Sequence, residues 1–329
     1  MIEILRSGPL NSIQDLGRER ALQWGVGRAG AMDPVALRIG NALLGNPDGE
    51  AGIEIAIFPF EIRLATGCAF ALTGAETRAS LDGSPLPPLW ASRARAGQVL
   101  SLSASRSGTF AYVTFAGGLD ISRRLGSCST DLKSGFGGRD GQPLRPGQRL
   151  SLKDSAAAAS VPATGLGASA SAAPQPRRGP DGASLIRCIA AAEWPDFDDE
   201  SARAFAAQAW TVSRQVNRQG YRLSGPALRL KAPRELLSHG LVPGVVQVPP
   251  DGQPIVQMAE ANTCGGYPKI ATVIDADLWR LAQTRSGETV RFELVSWDEA
   301  ISAEQEQEAQ LEALGASLDL ARSWRAASE

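Results

Sequence analysis

The sequence predicts a mainly β fold in two domains, and three observations carry that prediction. Short apolar runs recur between Gly, Pro and Asp turns, only a few segments show helical periodicity, and a run of small residues divides the chain. That run, residues 154–183, is rich in Ala, Ser, Pro and Gly and holds almost no large side chain to bury. Such a composition cannot offset the entropy of ordering a compact core, so it reads as a linker between a domain at 1–153 and one at 184–297. Closed or strongly curved antiparallel sheets suit this pattern better than a βαβ alternation.

In the first domain the strands expected are Ile53 to Ile57, Glu61 to Leu64, Val99 to Leu102 and Phe110 to Phe115. One helix is clearly punctuated. Asp33 can cap it, Pro34 fits its first turn, Val35, Ile39, Ala42 and Leu43 form an apolar stripe, and Gly45 ends it. In the second domain, strands are expected around Leu185 to Ile189, Pro254 to Ala259 and Thr289 to Val295, and helices near Glu200 to Ala209 and Asp277 to Gln283. The tail, 298–329, reads as one exposed helix whose Leu311, Leu314 and Leu318 make a narrow docking stripe interrupted by Gly315.

Composition excludes several classes. The 329 residues are 43% hydrophobic and 21% charged, as expected of a globular chain long enough for two cores. The 33 basic and 35 acidic residues nearly cancel, and no basic tract recommends nucleic acid or an anionic membrane. The N-terminus lacks the pattern of a signal peptide, and no run of eighteen apolar residues suggests a membrane span, so a cytoplasmic protein is expected. Cys68, Cys128, Cys188 and Cys264 are far apart and form no metal-binding pair, and a single histidine, His239, cannot build a multi-histidine centre. No GxSxG, HExxH, GxxxxGK or post-strand GxGxxG occurs, so chemistry must rest on carboxylates, Arg, Lys, amides, backbone donors or a partner protein.

The most informative stretch is Gln247 to Ile270, where an apolar run delivers Glu260, Asn262, Thr263 and Cys264 into Gly265-Gly266-Tyr267. A rigid scaffold can hold a small-molecule site on such a turn, although a plain tight turn has the same composition. Asp251 or Glu260 can orient or accept a proton, Thr263 and the glycine amides can stabilise an oxyanion, and Lys269 can neutralise negative charge. Asn217-Arg218-Gln219-Gly220 with Arg222 offers fixed cations for a carboxylate or phosphate, a pattern that surface strands also show. Ser127, Ser129 and Thr130, with glycines close behind, either present donors to an anion or satisfy a surface turn. Asn11 to Arg18 followed by Gly30-Ala31-Met32-Asp33 forms a further polar cluster.

Taken in order, these residues resemble the KipA family, also described as the 5-oxoprolinase C-subunits or biotin-dependent carboxyltransferase-like proteins. The landmarks are IQDLGR at 13–18, GAMD at 30–33, NALLGN at 41–46, FAGGLD at 115–120 and LGSCST at 125–130. They continue with NRQGYRLSGPAL at 217–228, VPPDGQPI at 248–255 and TCGGYPKIATV at 263–273. The resemblance implies two cyclophilin-like β-barrel domains, similar to the second half of the carboxyltransferase region of urea carboxylase. It further implies a KipI-like partner and a LamB/YcsF-family partner, with ATP used at the level of the complex to open 5-oxo-L-proline to glutamate. No metal site and no biotin attachment site is evident in the chain. The sites implied are Asn217, Arg218, Arg222, Asp251, Glu260 and Thr263 for catalysis. Ser127, Ser129, Thr130, Gly265, Gly266, Tyr267 and Lys269 are implied for ligand binding.

The chain departs from the family pattern at several polar positions. Asn217 stands where an aspartate is common, Glu260 where the family has the shorter aspartate, Ala261 where it has arginine, and Cys128 where it has arginine. These changes point to an altered substrate preference or a loss of the usual activity. Carboxyl transfer within a urea-carboxylase-like assembly, a divergent amide hydrolase, and a non-catalytic regulatory protein that binds a KipI-like partner are the alternatives.

Overall fold

A computed structural model describes residues 1–154, 157 and 161–326, the side chains of 324–326 excepted. Residues 155, 156 and 158–160 of the expected linker, and 327–329 of the expected tail, lie outside the described residues. The chain forms two compact units: Met1–Arg18, Ala29–Gln175 and Glu308–Glu329 in one, Glu19–Arg28 and Pro176–Gln307 in the other.

The first unit is built on a ten-stranded sheet: β1 (Ile2–Arg6), β2 (Ser12–Gln14), β3 (Gly52–Ile55), β4 (Phe60–Leu64), β5 (Cys68–Leu81), β6 (Ser84–Leu86), β7 (Trp90–Ala94), β8 (Val99–Phe115), β9 (Arg149–Leu150) and β10 (Leu166–Gly167). The main path runs β10-β7-β5-β8-β4-β1-β9, with β3 joining β2 to β8 and β6 paired to β5. Its core gathers Ile2, Ile4, Ile62, Phe70, Leu100 and Phe115 among others. Sequence patterning splits β8 into two strands because its middle, Ser103 to Thr109, is polar. The structure keeps it continuous, and the middle pairs with β5 through a run of register shifts. Alternation fails there because that part of the ribbon buries little on either face.

Helix α1 (Pro34–Leu44) forms where its punctuation predicts. The Asp33 carboxylate accepts from the Ala36 amide at 2.8 Å, and Gly45 ends the helix at φ 71°. Only a residue without a Cβ enters that left-handed conformation freely. The amide of Met32 donates to Glu54 and that of Asp33 to the Tyr112 hydroxyl, which itself donates to Glu54 at 2.7 Å. Burial and the neighbouring Glu54 carboxylate hold the Tyr112 phenol well above its usual range. Thus the GAMD motif anchors the helix start. Asp33→Ala is expected to cost about 1 kcal/mol in urea unfolding, the usual effect of a lost N-cap.

The first unit extends through Gln175 rather than stopping at residue 153. Val161 is buried, and β10 pairs with β7 through Leu166↔Ala91 and Gly167↔Trp90. A Cβ on Gly165 or Gly167 would lie about 2.5 Å from the Trp90 indole. The small residues that make this stretch look featureless allow the backbone to lie flat on that ring. The second half of helix α4 (Trp297–Ala326) belongs to this unit as well. Gly315 does not interrupt it, and Leu311, Leu314 and Leu318 are buried, as a docking stripe requires. Glu308 pairs with Arg38, and Arg322 donates to the terminal α1 carbonyl of Ala42 at 2.6 Å.

The second unit is a closed seven-stranded barrel. Its strands are β11 (Ser184–Ala190), β12 (Trp210–Val216), β13 (Gly220–Ser224), β15 (Val245–Gln247), β16 (Ile255–Gln257), β18 (Lys269–Val273) and β19 (Thr289–Leu294). They close in the order β11-β18-β15-β16-β13-β12-β19. Every junction is antiparallel except β11 with β19, which run parallel. A two-stranded ribbon, β14 (His239–Gly240) with β17 (Cys264–Gly265), stands apart from the barrel sheet. Helices α2 (Asp199–Ala207) and α3 (Asp275–Ala282) pack on it, with Phe205 stacked on Phe292 at 4.5 Å. Asp277, fully buried on α3, takes three hydrogen bonds from Arg187, at 2.8 to 3.0 Å, and pairs also with Arg280. The mainly β class expected from sequence holds throughout. Among the described residues, no helix is long and apolar enough to cross a membrane.

Candidate functional site

The second unit brings Arg218 and Glu260 together across 42 positions of sequence. Arg218 lies in the turn between β12 and β13, and Glu260 follows β16. The guanidinium Nε donates to the Glu260 carboxylate at 2.7 Å, and the Glu260 amide donates to the Arg218 carbonyl at 2.8 Å. Both side chains are buried, 3% and 4% exposed. At that depth each charge answers the other, and removal of either takes away a buried counter-charge.

Asn217 plays a different part from the one its position suggests. It is exposed, and its side-chain oxygen accepts from the amides of Gln219 and Gly220 at 2.8 and 3.2 Å. This is an Asx turn, which needs an acceptor oxygen that Asn and Asp both provide. Asp251 is similarly exposed and caps its own turn through the Gln253 amide at 3.0 Å. Arg222 lies on the outward face of β13, not beside Arg218, because Tyr221 and Leu223 take the inward positions. The strand expected at 254–259 narrows to β16, which frees Met258 to Ala261 to turn back and deliver Glu260.

The Thr263 to Lys269 segment forms β17 and the approach to β18. The Thr263 carbonyl accepts from Leu241 at 3.0 Å, Tyr267 is exposed, and Gly266 lies close to the Leu236 carbonyl. Lys269 is buried, with its ammonium 3.7 Å from the Glu193 carboxylate, and Nε2 of His239 stands 3.6 Å from that same carboxylate. Glu193 is not discernible from sequence, since it sits in an unremarkable Ala-Ala-Glu-Trp stretch. Gln247 and Gln257, both buried, carry no motif signal either, and their side chains meet at 3.0 Å. Polar residues ending two apolar strands are the one clue that could have found them.

Ser127, Ser129 and Thr130 lie in the first unit, where a structural knot engages them. Asp15 accepts from both serine hydroxyls at 2.6 Å, from the Cys128 amide at 2.6 Å and from Gly17 at 2.8 Å. Thr130 donates its hydroxyl to the Ile13 carbonyl at 3.0 Å. Arg18, buried nearby, donates to the Arg124 and Ser129 carbonyls and lies 4.5 Å over the Phe136 ring. The IQDLGR and GSCST motifs thus fasten two loops to each other, with their hydroxyl protons directed inward.

The cysteines divide by environment. Burial pushes the Cys68 thiol up to about 11 and that of Cys188 up to about 12, and raises that of Cys128. Cys264 is exposed on β17. Because the thiolate is the reacting species, Ellman's reagent is expected to modify Cys264 alone in the native chain and all four thiols in denaturant. Fast labelling of Cys264→Ser would contradict this order. Among the described residues, no cluster of three or more His, Cys, Asp or Glu could hold a metal ion.

The chain belongs to the family described as carboxyltransferase domain, subdomain A and B, which matches residues 24–294. It is 41% identical over 318 residues to the 5-oxoprolinase C-subunit of Escherichia coli strain K12, covering 95% of this chain and 97% of that one. The corresponding protein of Haemophilus influenzae is 39% identical over 312 residues, with 95% and 97% covered. The structure also resembles the crystal structure of Kluyveromyces lactis urea carboxylase, with a TM-score of 0.84 and 23% identity. That match covers 95% of this chain and 29% of the other, and it shows the fold.

Proposed function

We propose that this chain is a subunit of an ATP-dependent 5-oxoprolinase. In that reading it joins a KipI-like protein and a LamB/YcsF-family protein, and the complex converts 5-oxo-L-proline, ATP and water to L-glutamate, ADP and phosphate. The observation that carries it is the end-to-end match to proteins named as the C-subunit of 5-oxoprolinase, against coverage of only 18–25% of the urea carboxylase and urea amidolyase relatives. Arg218 and Glu260 are positioning residues here, fixing the turn that carries Thr263 and the Gly265-Gly266 backbone. Lys269, Thr263 and the glycine amides are the groups this reading assigns to the ligand, while Tyr267 and Arg222 are exposed at the surface. Asn217 and Asp251 shape the flanking turns.

ATP supplies the phosphoryl group that makes a lactam carbonyl a better electrophile. The hydroxyls of Ser127, Ser129 and Thr130 are engaged within the protein, so we place no phosphate on them in this chain. ATP use belongs to the assembled complex, in a cytoplasmic setting. The name of the family favours a second reading, carboxyl transfer from a biotin carrier supplied by a partner.

The decisive experiment is copurification of the native partners followed by an assay of the complex for ATP-dependent opening of 5-oxo-L-proline. Glutamate and ADP in equal amounts are expected. No turnover with all partners present overturns the reading, and bicarbonate- and biotin-dependent carboxylation would establish the alternative. In the same assay, unchanged turnover by Arg218→Ala would remove that residue from the mechanism.

A further inference from the structure

The two buried glutamines form a directed chain of hydrogen bonds. The backbone N–H of Asn262 donates to Oε1 of Gln257 at 3.4 Å, and a backbone amide can only donate. That fixes which end of the Gln257 amide is which, and its Nε2 then donates to Oε1 of Gln247 at 3.0 Å. The sequence of donors ends on Nε2 of Gln247. This nitrogen is buried in a residue only 4% exposed, and it has no hydrogen-bond acceptor among the described residues. A buried donor left in that state is costly, and a structure that maintains one has a use for it.

Two neighbours indicate what that use is. Gly265 of β17 lies against the nitrogen, where a Cβ would fall 2.8 Å from Nε2 and 2.8 Å from Cδ1 of Leu241. Glycine at this position of the two-stranded ribbon of β14 and β17 puts no side chain of its own on the amide. Lys269 is the register partner of Gln247 on β18, so a cation stands on the adjacent strand. A donor that cannot accept suits an oxygen acceptor, and the cation on the adjacent strand, whose ammonium lies 3.7 Å from the Glu193 carboxylate, favours a negatively charged one.

We propose that Nε2 of Gln247 binds a carboxylate oxygen of a small ligand held under the Thr263–Tyr267 segment. This deepens the 5-oxoprolinase reading and rests on it, since 5-oxo-L-proline carries such a carboxylate. Gln257 is the positioning residue that sets the direction of the Gln247 amide.

The test uses the intact 15N-labelled chain without ATP or partners, with 5-oxo-L-proline and acetate as carboxylate probes and urea as a neutral one. The Gln247 side-chain amide signals, identified by their loss in Gln247→Leu, are expected to shift with both carboxylates and not with urea. Gln247→Glu keeps the acceptor for Gln257 but puts an oxygen where the donor was. It is expected to melt within a few degrees of the parent and to bind 5-oxo-L-proline at least tenfold more weakly. Unshifted amide signals, or parental binding by a folded Gln247→Glu, would overturn the proposal. Because this readout needs no turnover, it fails separately from the 5-oxoprolinase assay.

Discussion

Arg218→Ala is expected to destabilise the second unit by about 3–5 kcal/mol, the cost of leaving one member of a buried ion pair uncompensated. Glu260 would keep its charge in a position that is 4% exposed, without the guanidinium that answers it. Glu260→Gln is expected to fall in the same direction, because a neutral amide still leaves Arg218 charged. The double replacement Arg218→Met with Glu260→Leu is expected to recover much of the loss, since apolar groups of similar volume require no partner. Urea unfolding of the three variants, followed by the signals of the barrel tryptophans, gives the comparison. A loss under about 1 kcal/mol for Arg218→Ala, the value of an exposed pair, would show that the pair is solvated.

Asp15→Ala is expected to cost about 3 kcal/mol or more in the first unit, because bonds to a charged acceptor are worth more than neutral ones. One carboxylate accepts from Gly17, Cys128 and both serine hydroxyls. Their values do not add, because the donors share one acceptor. Ser127→Ala, which removes one donor and keeps the acceptor, is expected to cost about 1 kcal/mol. The knot also encloses Cys128, so its loosening has a chemical reporter. In Asp15→Ala a second thiol is expected to react with Ellman's reagent before global unfolding. An unaltered thiol count together with an unaltered melting midpoint would show that other contacts hold these loops.

Local grammar is readable in the sequence wherever a residue acts on its near neighbours. Asp33, Pro34 and Gly45 set the limits of α1 because capping and left-handed turns are decided within a few positions. The polar middle of β8 is not readable as strand, since its partner lies on β5 and the pairing is set by chain fold rather than alternation. The Gln247 to Ile270 stretch stands out by composition. What it presents depends on Arg218 and Glu193, neither of them near it in sequence. The roles of Asn217 and Asp251 reverse for a related reason. Both residue types serve equally as polar site groups and as turn acceptors, and only the geometry of the following amides distinguishes the two uses.

The chain enters the second unit briefly at Glu19–Arg28, returns to the first, and supplies the first unit again from Glu308 onward. Synthesis therefore begins the first unit early and completes it last. Until the end of α4 emerges from the ribosome, the Ala42 and Leu43 carbonyls lack Arg322, and the face of α1 that holds Arg38 lacks Glu308. Domains made in one contiguous stretch can settle as they emerge, but this one must wait for the residues of α4. A ribosome-bound nascent chain stopped before Glu308 is thus a state in which the barrel is fully encoded and its predecessor is still incomplete.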